Sequence, residues 1–438
     1  MAGELAVGTR IATMLGGVVT IKRYIGGGGQ GDVYAVDYNG QEKALKWYKP
    51  NVFLSRKLFI ENLRRNVMSG APTSEFLWPL DMTMSYNGTF GYVMNLKPEG
   101  FYEADEFFLH HVHFSSFRQA VDACLEIVSA FRILHSDGYC YQDINGGNFF
   151  INPTSGEVLI CDNDNVAPNG RPTGILGTPR YMAPEIVTGQ STPNVYSDRF
   201  SMSVLIFMLL CMVHPLEGKR SLVPALGPAT QLRLYGTDPL FVMDPDDRSN
   251  APDPKIHRNL LAVWSCLPGY MREMMLKFFS QKSLKNPNRR PSESDWIRVL
   301  VRFRSEIVRC SCGNEVFTSF GAPRFCECCG KRISPELYLK LSGYAIPAIR
   351  DTRLYKCQTC VCNASEERDL VAVVDPMRQD PNVLVLRNVS SGAWDAVTSN
   401  GTNRRVPPGA VIPLKEGISF KANSETITIV KNKLEQGA

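Results

Sequence analysis

The sequence predicts an α+β protein in which a strand-rich N-terminal part precedes a helix-rich middle part. Residues 18–100 contain short β-type runs separated by glycine, and residues 115–309 are dominated by helical periodicity. Eight of the thirteen cysteines then lie between 310 and 362, and 368–430 return to short strand-like runs with Gly, Pro and Asn turns. A chain of 438 residues is long enough for two or three hydrophobic cores.

The composition is that of an ordinary globular protein. Hydrophobic residues make up 44% and charged residues 21%, and the formal net charge of +5 is too small to predict a nucleic-acid or membrane surface. The most apolar stretch, at 201–213, is too short to cross a bilayer comfortably and predicts a buried helix. No secretory signal opens the sequence. We therefore expect a reduced, cytoplasmic protein that does not contact the membrane.

The first chemical motif is the glycine-rich run YIGGGGQGDVYAV. It places Gly26, Gly28 and Gly31 at the spacing that lets backbone amides approach a phosphate. Alone this pattern is weak, because a flexible hairpin would carry the same glycines. Lys46, in the next strand-like run, and Glu61, on the helix that follows, add a cation and a carboxylate that can form an ion pair.

Two further motifs supply oxygen ligands and a base. In YQDINGGNFFI, Asp143 can accept a hydroxyl proton and Asn148 can hold a metal ion. Asp162 follows at the end of the apolar run VLIC, and GTPRYMAPE occupies 177–185. The order of these motifs differs from that of a Rossmann or P-loop unit.

In these ordered motifs the chain resembles the protein kinase family over roughly residues 18–305. The resemblance implies a two-lobed fold, with a small lobe to about residue 97 and a large lobe after it, preceded by an N-terminal extension at 1–17. It implies transfer of the γ-phosphate of ATP to Ser or Thr of protein substrates, and the kinase itself is one candidate substrate. Glu185 is expected to form an ion pair with Arg290 in the large lobe.

The resemblance also implies a role for each motif residue. Lys46 would bind the α- and β-phosphates and pair with Glu61, Asp143 would be the catalytic base, and Asn148 and Asp162 would ligate Mg²⁺ or Mn²⁺. The remaining ATP-binding residues would be Gly26, Gly28 and Gly31 over the phosphates, Val33 and Ala44 above the adenine, Phe150 below it, Met94 as gatekeeper, and Asn95, Leu96 and Lys97 in the hinge.

Several positions depart from the family pattern. Gln142 replaces an Arg, so it cannot pair ionically with a phosphorylated loop, and we expect activity without loop phosphorylation. Asn145 replaces a Lys that steadies the γ-phosphate, which should slow transfer. Asn163 and Asp164 replace the Phe and Gly after the metal-binding Asp162, and we expect them to hold its carboxylate in a fixed working position. Two interpretations remain open: a working kinase with all four central residues retained, or a pseudokinase scaffold that binds nucleotide without transfer.

Other motifs narrow the expected substrates and partners. The intact GTPRYMAPE motif places Thr178 as in Ser/Thr kinases, so Ser or Thr substrates are expected rather than Tyr. YQDINGGNFFI, CDNDNV and DPDDRSN resemble a bacterial kinase group found in phosphorylation triads linked to tellurite-resistance genes. This narrower resemblance implies two partners, a von Willebrand A-domain protein and a metal-dependent protein phosphatase.

The Cys-rich segment 306–364 predicts a zinc ribbon. Two knuckles supply four thiolates suited to tetrahedral Zn²⁺, and a segment with so few apolar residues would fold largely because it binds metal. These thiolates belong to Cys310, Cys312, Cys326 and Cys329. A second site at Cys357 and Cys360 is an open alternative, because sequence does not fix the pairing of eight cysteines. Nucleic-acid binding by the ribbon is a third functional alternative, disfavoured because no basic run with interleaved aromatics accompanies the cysteines.

The last segment, 365–438, predicts a small β-sandwich. The run from GAWDAV to LKEG resembles the later strands of a forkhead-associated domain, with Asn400-Gly401-Thr402 as a landmark. A convincing Gly-Arg and Ser-x-x-His are not found upstream. We therefore expect contacts with proteins rather than phosphothreonine binding.

Overall fold

A computed structural model describes residues 5–50, 56–171, 173–322 and 324–432. The ends of the predicted N-terminal extension and of the predicted sandwich, at 1–4 and 433–438, lie outside the described residues. The chain forms two compact units. The first comprises Met1–Ser115, Ile133–Arg258 and Phe278–Arg290, and the second comprises Ser116–Arg132, Asn259–Lys277 and Pro291–Ala438.

The first unit begins with a six-stranded antiparallel sheet in the order β1-β2-β3-β4-β6-β5. Its strands, and the helix between β4 and β5, are β1 (Arg10–Ala12), β2 (Val18–Gly27), β3 (Gly31–Tyr38), β4 (Gln41–Tyr48), α1 (Arg56–Ser69), β5 (Asp81–Met82) and β6 (Gly91–Met94). The glycine-rich run lies at the turn between β2 and β3, where Gly27 pairs with Asp32.

Side-chain alternation along β4 decides which residues face α1. Leu45 and Trp47 pack into the cluster on one face of the sheet. Ala44 and Tyr48 belong to the opposite cluster, which also contains buried side chains of α1. Because successive strand residues point to opposite faces, Lys46 shares the face of Ala44 and Tyr48.

The helix-rich part carries the predicted loop motifs between short strands. Its elements are β7 (Tyr102–Glu103), α2 (Ala104–Phe108), α3 (Phe117–Ser136), β8 (Tyr139–Cys140), β9 (Phe149–Ile151), β10 (Val158–Ile160), β11 (Ala167–Pro168), α4 (Pro184–Val187), α5 (Val195–Cys211), α6 (Pro228–Leu232), α7 (Arg258–Cys266), α8 (Gly269–Phe278), α9 (Gln281–Lys285) and α10 (Glu293–Ser305). The buried α5 confirms the helix predicted at 201–213. Among the described residues, no helix has both the length and the apolarity needed to cross a membrane.

The C-terminal part of the second unit contains two hairpins and a two-sheet sandwich. Its strands are β12 (Ile307–Arg309), β13 (Glu315–Phe317), β14 (Arg324–Phe325), β15 (Arg332–Ile333), β16 (Leu337–Lys340), β17 (Ala345–Pro347), β18 (Arg353–Tyr355), β19 (Leu370–Pro376), β20 (Leu384–Asn388), β21 (Trp394–Val397), β22 (Asn403–Val406), β23 (Val411–Pro413), β24 (Ser419–Ala422) and β25 (Glu425–Lys431). The sheets have the orders β17-β16-β25-β24-β21-β22 and β18-β19-β20-β23. Leu339, Leu354, Trp394, Phe420 and Ile427 are part of the core between them.

The predicted boundary at 364/365 therefore falls inside the sandwich, which already includes β16 to β18. The three strands are only three or four residues long, too short for alternation to stand out in the sequence. The structure also places Cys357 within this fold, in a short 3₁₀ turn directly after β18.

Within the second unit, α3 is bound by residues from the C-terminal part of the chain. The backbone N–H of Phe117, at the start of α3, donates to the Glu315 carboxylate across 2.6 Å. Phe317 stacks on Phe303, with ring centroids 4.8 Å apart, and meets the Phe117 ring edge-on at 5.5 Å. Strand β13, between the two Cys knuckles, thus supplies both a helix cap and an aromatic contact.

Candidate active site

Lys46, in the first unit, contacts two carboxylates. Its side chain is almost fully buried on β4, and its ammonium group lies 3.0 Å from Oδ1 of Asp162 and 3.2 Å from Oδ2 of Asp164. The same Nζ donates to Oε1 of Gln30, in the glycine-rich run, at 3.2 Å. One cation therefore joins this run to the segment that carries the predicted metal ligand.

The segment around Asp162 has a specific backbone shape. Asp162 itself is left-handed, with φ 53° and ψ 39°, and Asn163–Asn165 form one 3₁₀ turn after it. The Asp162 side chain is 31% exposed, so its carboxylate remains open to a ligand. Burial of the carboxyl group raises its pKa, and the nearby Lys46 ammonium partly offsets this effect.

The Asp143 loop is held by hydrogen bonds from and to three side chains. The Asn148 side-chain NH₂ donates to the Asp143 carbonyl oxygen at 2.9 Å, and the Thr178 hydroxyl donates to Oδ1 of Asp143 at 3.0 Å. Asp198, on α5, accepts the backbone N–H of Gln142 at 3.1 Å. These contacts fix the Asp143 carboxylate beside the 177–185 motif.

The predicted adenine-lining residues come together in one apolar cluster. Its members include Val33, Ala44, Met94, Leu96 and Phe150. The neighbouring hinge positions are exposed and polar: the Asn95 side chain accepts a hydrogen bond from Lys43 at 2.8 Å, and the Lys97 ammonium lies 5.0 Å from the centroid of the Phe150 ring.

The predicted phosphate loop is a compact glycine turn. The Gly28 N–H donates to the Gly31 carbonyl at 2.8 Å, and the exposed Lys49 ammonium donates to the Gly28 carbonyl at 2.6 Å. A Cβ at Gly31 would lie 2.4 Å from the Trp47 carbonyl oxygen, so this position requires glycine. Gly26 has no such constraint, because a Cβ there would meet open space.

Comparison with known proteins decides the family. The protein kinase domain family matches residues 19–298. This chain belongs to the protein kinase family. The two-lobed protein kinase fold predicted from the ordered motifs is thereby confirmed.

Individual kinases resemble the chain at low identity. Mouse protein kinase C delta type is 28% identical over 212 residues, which are 45% of this chain and 30% of that protein. The maternal embryonic leucine zipper kinase of Xenopus tropicalis is 28% identical over 158 residues, covering 32% of this chain and 24% of that kinase. The chain thus spans less than a third of these relatives. The kinase domain of Mycobacterium tuberculosis PknI matches at 17% identity with a TM-score of 0.45, covering 68% of this chain and 98% of that domain.

The prediction that Lys46 pairs with Glu61 is wrong in this structure. Glu61 lies on the exposed face of α1, whereas the adjacent Asn62 is buried. Asn62 and Asn66 donate to the Val166 carbonyl at 2.6 and 2.8 Å. Successive helix positions differ by about 100° around the axis, so the inward position of Asn62 turns Glu61 away from Lys46.

The activation segment, residues 162–185 from Asp162 to the end of the GTPRYMAPE motif, is anchored at several points. The Thr173 hydroxyl donates to Oε1 of Gln142, at the position where the family pattern has Arg. Further along, the two terminal guanidinium nitrogens of Arg290 each lie 2.7 Å from one carboxylate oxygen of Glu185. This bidentate contact confirms the ion pair predicted between these two residues.

The four knuckle cysteines form a compact thiolate group in the second unit. The sulfur atoms of Cys310, Cys312, Cys326 and Cys329 all lie within 4.8 Å of one another. Each knuckle turns at a glycine with positive φ, Gly313 at 95° and Gly330 at 71°. Four sulfur ligands at this spacing fit tetrahedral Zn²⁺.

The second predicted zinc site receives no comparable support. Over the parts of the chain that the structure describes, the knuckle group is the only set of three or more such ligands close enough to share an ion. Cys357 and Cys360 do not belong to it. Cys357 is half-buried, and this burial raises the pKa of its thiol to about 12.

Some site residues could not be singled out from the sequence. Tyr48 and Tyr92 donate to Asp164 from strands far away in the chain. Asp105, at the start of α2, would lie 1.9 Å from a Cβ at Gly146, so this glycine in the Asp143 loop makes room for the carboxylate. No local pattern in the sequence marks these contacts.

Proposed function

We propose that this chain is an ATP-dependent protein kinase that phosphorylates Ser or Thr. The observation that carries the proposal is the assembly of Lys46, Asp143, Asn148 and Asp162. Lys46 contacts Asp162 at 3.0 Å and Asn148 contacts Asp143 at 2.9 Å. The backbone N–H of Cys161 also donates to the Asn148 carbonyl at 2.9 Å, which links these pairs through the chain.

Each of the four residues has a chemical task in this proposal. Asp143 accepts the proton of the substrate hydroxyl, and Lys46 contacts the α- and β-phosphates. Asn148 and Asp162 would hold Mg²⁺ through oxygen atoms, the ligands that this ion prefers. The ion, when bound, supplies positive charge to the phosphates. Asn148 uses its NH₂ to bind the Asp143 carbonyl, and this orientation leaves its carbonyl oxygen as the ligating atom.

A nucleotide-binding scaffold without transfer is the second candidate, and Asn145 favours it. Its side chain donates to the Asp143 carbonyl at 3.2 Å and accepts from the Gly147 N–H at 3.1 Å. These are neutral contacts within the loop. The loop position therefore provides no cation for the γ-phosphate, where the family pattern has Lys.

Transfer from labelled ATP separates these two candidates. We expect the full chain to incorporate label with Mg²⁺ or Mn²⁺, whereas D143N and K46A lose at least about 90% of it. Asp137→Asn is the matched control, because Asp137 is exposed and lies outside the loop. Equal labelling in all four proteins would show that the phosphate comes from a contaminating kinase.

We also propose that the knuckle cysteines bind structural zinc and that the sandwich serves protein contacts. The four-thiolate geometry and the two-sheet architecture support these roles. Metal analysis should find about one zinc per chain. A forkhead-associated origin of the sandwich, and bacterial cytoplasmic partners of the von Willebrand A-domain and phosphatase types, rest on the resemblance of sequence motifs. Co-purification of the chain with either partner would test them.

A further inference from the structure

Asp164 occupies the position where the family pattern has glycine. Its backbone does not use the freedom of glycine, because Asn163–Asn165 form one 3₁₀ turn and only Asp162 in this segment has a positive φ. The Asp164 side chain is completely buried. A buried carboxylate is costly unless it is paired and hydrogen-bonded, so its partners indicate its role.

Three donors surround the Asp164 carboxylate. The Tyr48 hydroxyl donates to Oδ2 at 2.6 Å, and the Tyr92 hydroxyl donates to Oδ1 at 3.3 Å. The Lys46 ammonium lies 3.2 Å from both oxygens. Tyr48 and Tyr92 are buried on β4 and β6, which are neighbours in the sheet. The two phenol groups thus position the Asp164 carboxylate in contact with the Lys46 ammonium group.

Helix α1 supplies no carboxylate to Lys46. Glu61 is the only acidic residue of this helix and it is exposed. The buried face instead presents Asn62 and Asn66, whose amides donate to backbone carbonyls of the segment after Asp162. The contact between α1 and this segment is therefore neutral, and the counter-charge of Lys46 comes from the segment itself.

We propose that Asp164 is the positioning residue that serves as counter-ion of Lys46 in place of a helix carboxylate. Asp162 and Asp164 share one short turn, so a single backbone segment sets both the metal-ligating carboxylate and the phosphate-binding lysine. The alignment of Lys46 then requires no carboxylate from α1. The inference rests on the proposed function to the extent that Lys46 binds the phosphates of ATP.

The test compares D164N with E61Q in the full chain. Calorimetry gives the Kd for ATP with Mg²⁺, and labelled ATP gives kcat and KM. We expect D164N to weaken ATP binding and lower kcat/KM by about tenfold or more, because it removes one partner of a buried charge-assisted contact. E61Q should stay within about twofold of the wild type, as is usual for an exposed charge.

Tyr48→Phe keeps the test decisive if D164N folds poorly. It removes one hydrogen bond to Asp164 and no charge, so we expect a loss of ATP affinity of about threefold to tenfold. The melting temperature of each variant shows whether a loss of affinity accompanies unfolding. Unchanged ATP binding in both folded D164N and Y48F would contradict the inference.

The outcomes for the inference and for the proposed function can be told apart. If E61Q loses ATP affinity as strongly as K46A while D164N does not, the inference is wrong and the kinase activity stands. If the wild-type chain binds ATP but transfers no phosphate with Mg²⁺ or Mn²⁺, the proposed function is wrong. In that case, a loss of ATP affinity in D164N but not in E61Q would still support the inference.

Discussion

Thr173 donates its hydroxyl hydrogen to Oε1 of Gln142 across 2.6 Å. The Gln142 NH₂ also reaches the carbonyl oxygen of Arg171 at 3.4 Å, so two points of the activation segment attach to one carboxamide. A neutral side chain fixes the segment where the family pattern has an Arg that can bind phosphate. The activation segment therefore does not need a phosphate group to hold this conformation.

The first prediction is activity without phosphate on the activation segment. Phosphatase-treated protein should transfer phosphate at a rate within about twofold of untreated protein, since a carboxamide gains no ion pair from a phosphate. The measurement is the initial transfer rate, with mass spectrometry to establish that Thr173 and Thr178 are unmodified. A strict requirement for phosphate at either threonine would refute the prediction.

The second prediction concerns the contact between Thr178 and Asp143. Thr178→Val removes the hydroxyl that donates to Oδ1 of the proposed base, so kcat should fall by about tenfold or more while KM for ATP stays near the wild-type value. Thr178→Ser keeps the hydroxyl and should retain most of the activity. Equal kcat values for T178V and T178S would show that the hydrogen bond has no role in transfer.

The third prediction concerns stability and the pair formed by Arg290 and Glu185. Arg290→Ala leaves the Glu185 carboxylate, 11% exposed, without its bidentate partner and should lower the free energy of unfolding by about 3–5 kcal/mol. Arg290→Lys should recover only part of this, because an ammonium group cannot make both contacts. The neighbouring exposed Arg289 provides the control, and R289A should match the wild type in urea unfolding.

The sequence motifs predict those parts of the candidate site whose geometry depends on the spacing of residues close together in the chain. The loop around Asp143 and Asn148, and the position of Asp162 after a short strand, follow from fixed distances along the chain. The alternation of β4 likewise places Lys46 opposite Leu45 and Trp47. These features depend on residues within a few positions of one another, so the sequence contains enough information to predict them.

The sequence did not predict features that depend on the rotation of a helix about its axis or on contacts between residues far apart in the chain. Glu61 and Asn62 are adjacent, and a helical pattern in one sequence does not fix the rotation of α1 to within one residue. The role of Asp164 depends on Tyr48 and Tyr92, which are 116 and 72 residues away in the chain. Asn163 and Asp164 were expected to hold Asp162 in place, but the sequence did not connect either residue with Lys46.

The fourth prediction concerns metal removal. Zinc bound by the knuckle cysteines should stabilise β13, whose Glu315 caps α3 at Phe117. Chelation, or Cys326→Ser, should therefore increase amide hydrogen exchange at the start of α3, with a loss of about 1 kcal/mol from the cap alone. Cys328→Ser is the matched control, because Cys328 is exposed and outside the thiolate group. Unchanged exchange at Phe117 and its neighbours after zinc release would rule out this coupling.

The fifth prediction concerns pH and rests on His214, which is fully buried. Its Nε2–H donates to the Arg180 carbonyl at 2.8 Å, and its Nδ1 accepts the Leu216 N–H at 3.1 Å, so the folded protein holds the neutral imidazole. Burial lowers the pKa of His214 from 6.5 to about 4. The neighbouring Glu217 carboxylate is also buried, which raises its pKa, but attraction to the His214 imidazolium that forms at low pH and hydrogen bonds from Arg180 outweigh burial and hold its pKa at about 2.

These two pKa values set two successive pH ranges for acid destabilisation. Below pH 6.5 the unfolded chain protonates His214 while the folded protein does not, so stability should fall by about 3 kcal/mol as the pH drops from 6.5 to about 4. Glu217 stabilises the fold above pH 4.5, and its contribution is lost as the pH falls from 4.5 towards 2. His214→Gln keeps a donor for the Arg180 carbonyl but cannot titrate. Urea unfolding of H214Q should therefore depend less on pH between 6.5 and 4 than that of the wild type, and parallel pH profiles would show that His214 does not cause the loss.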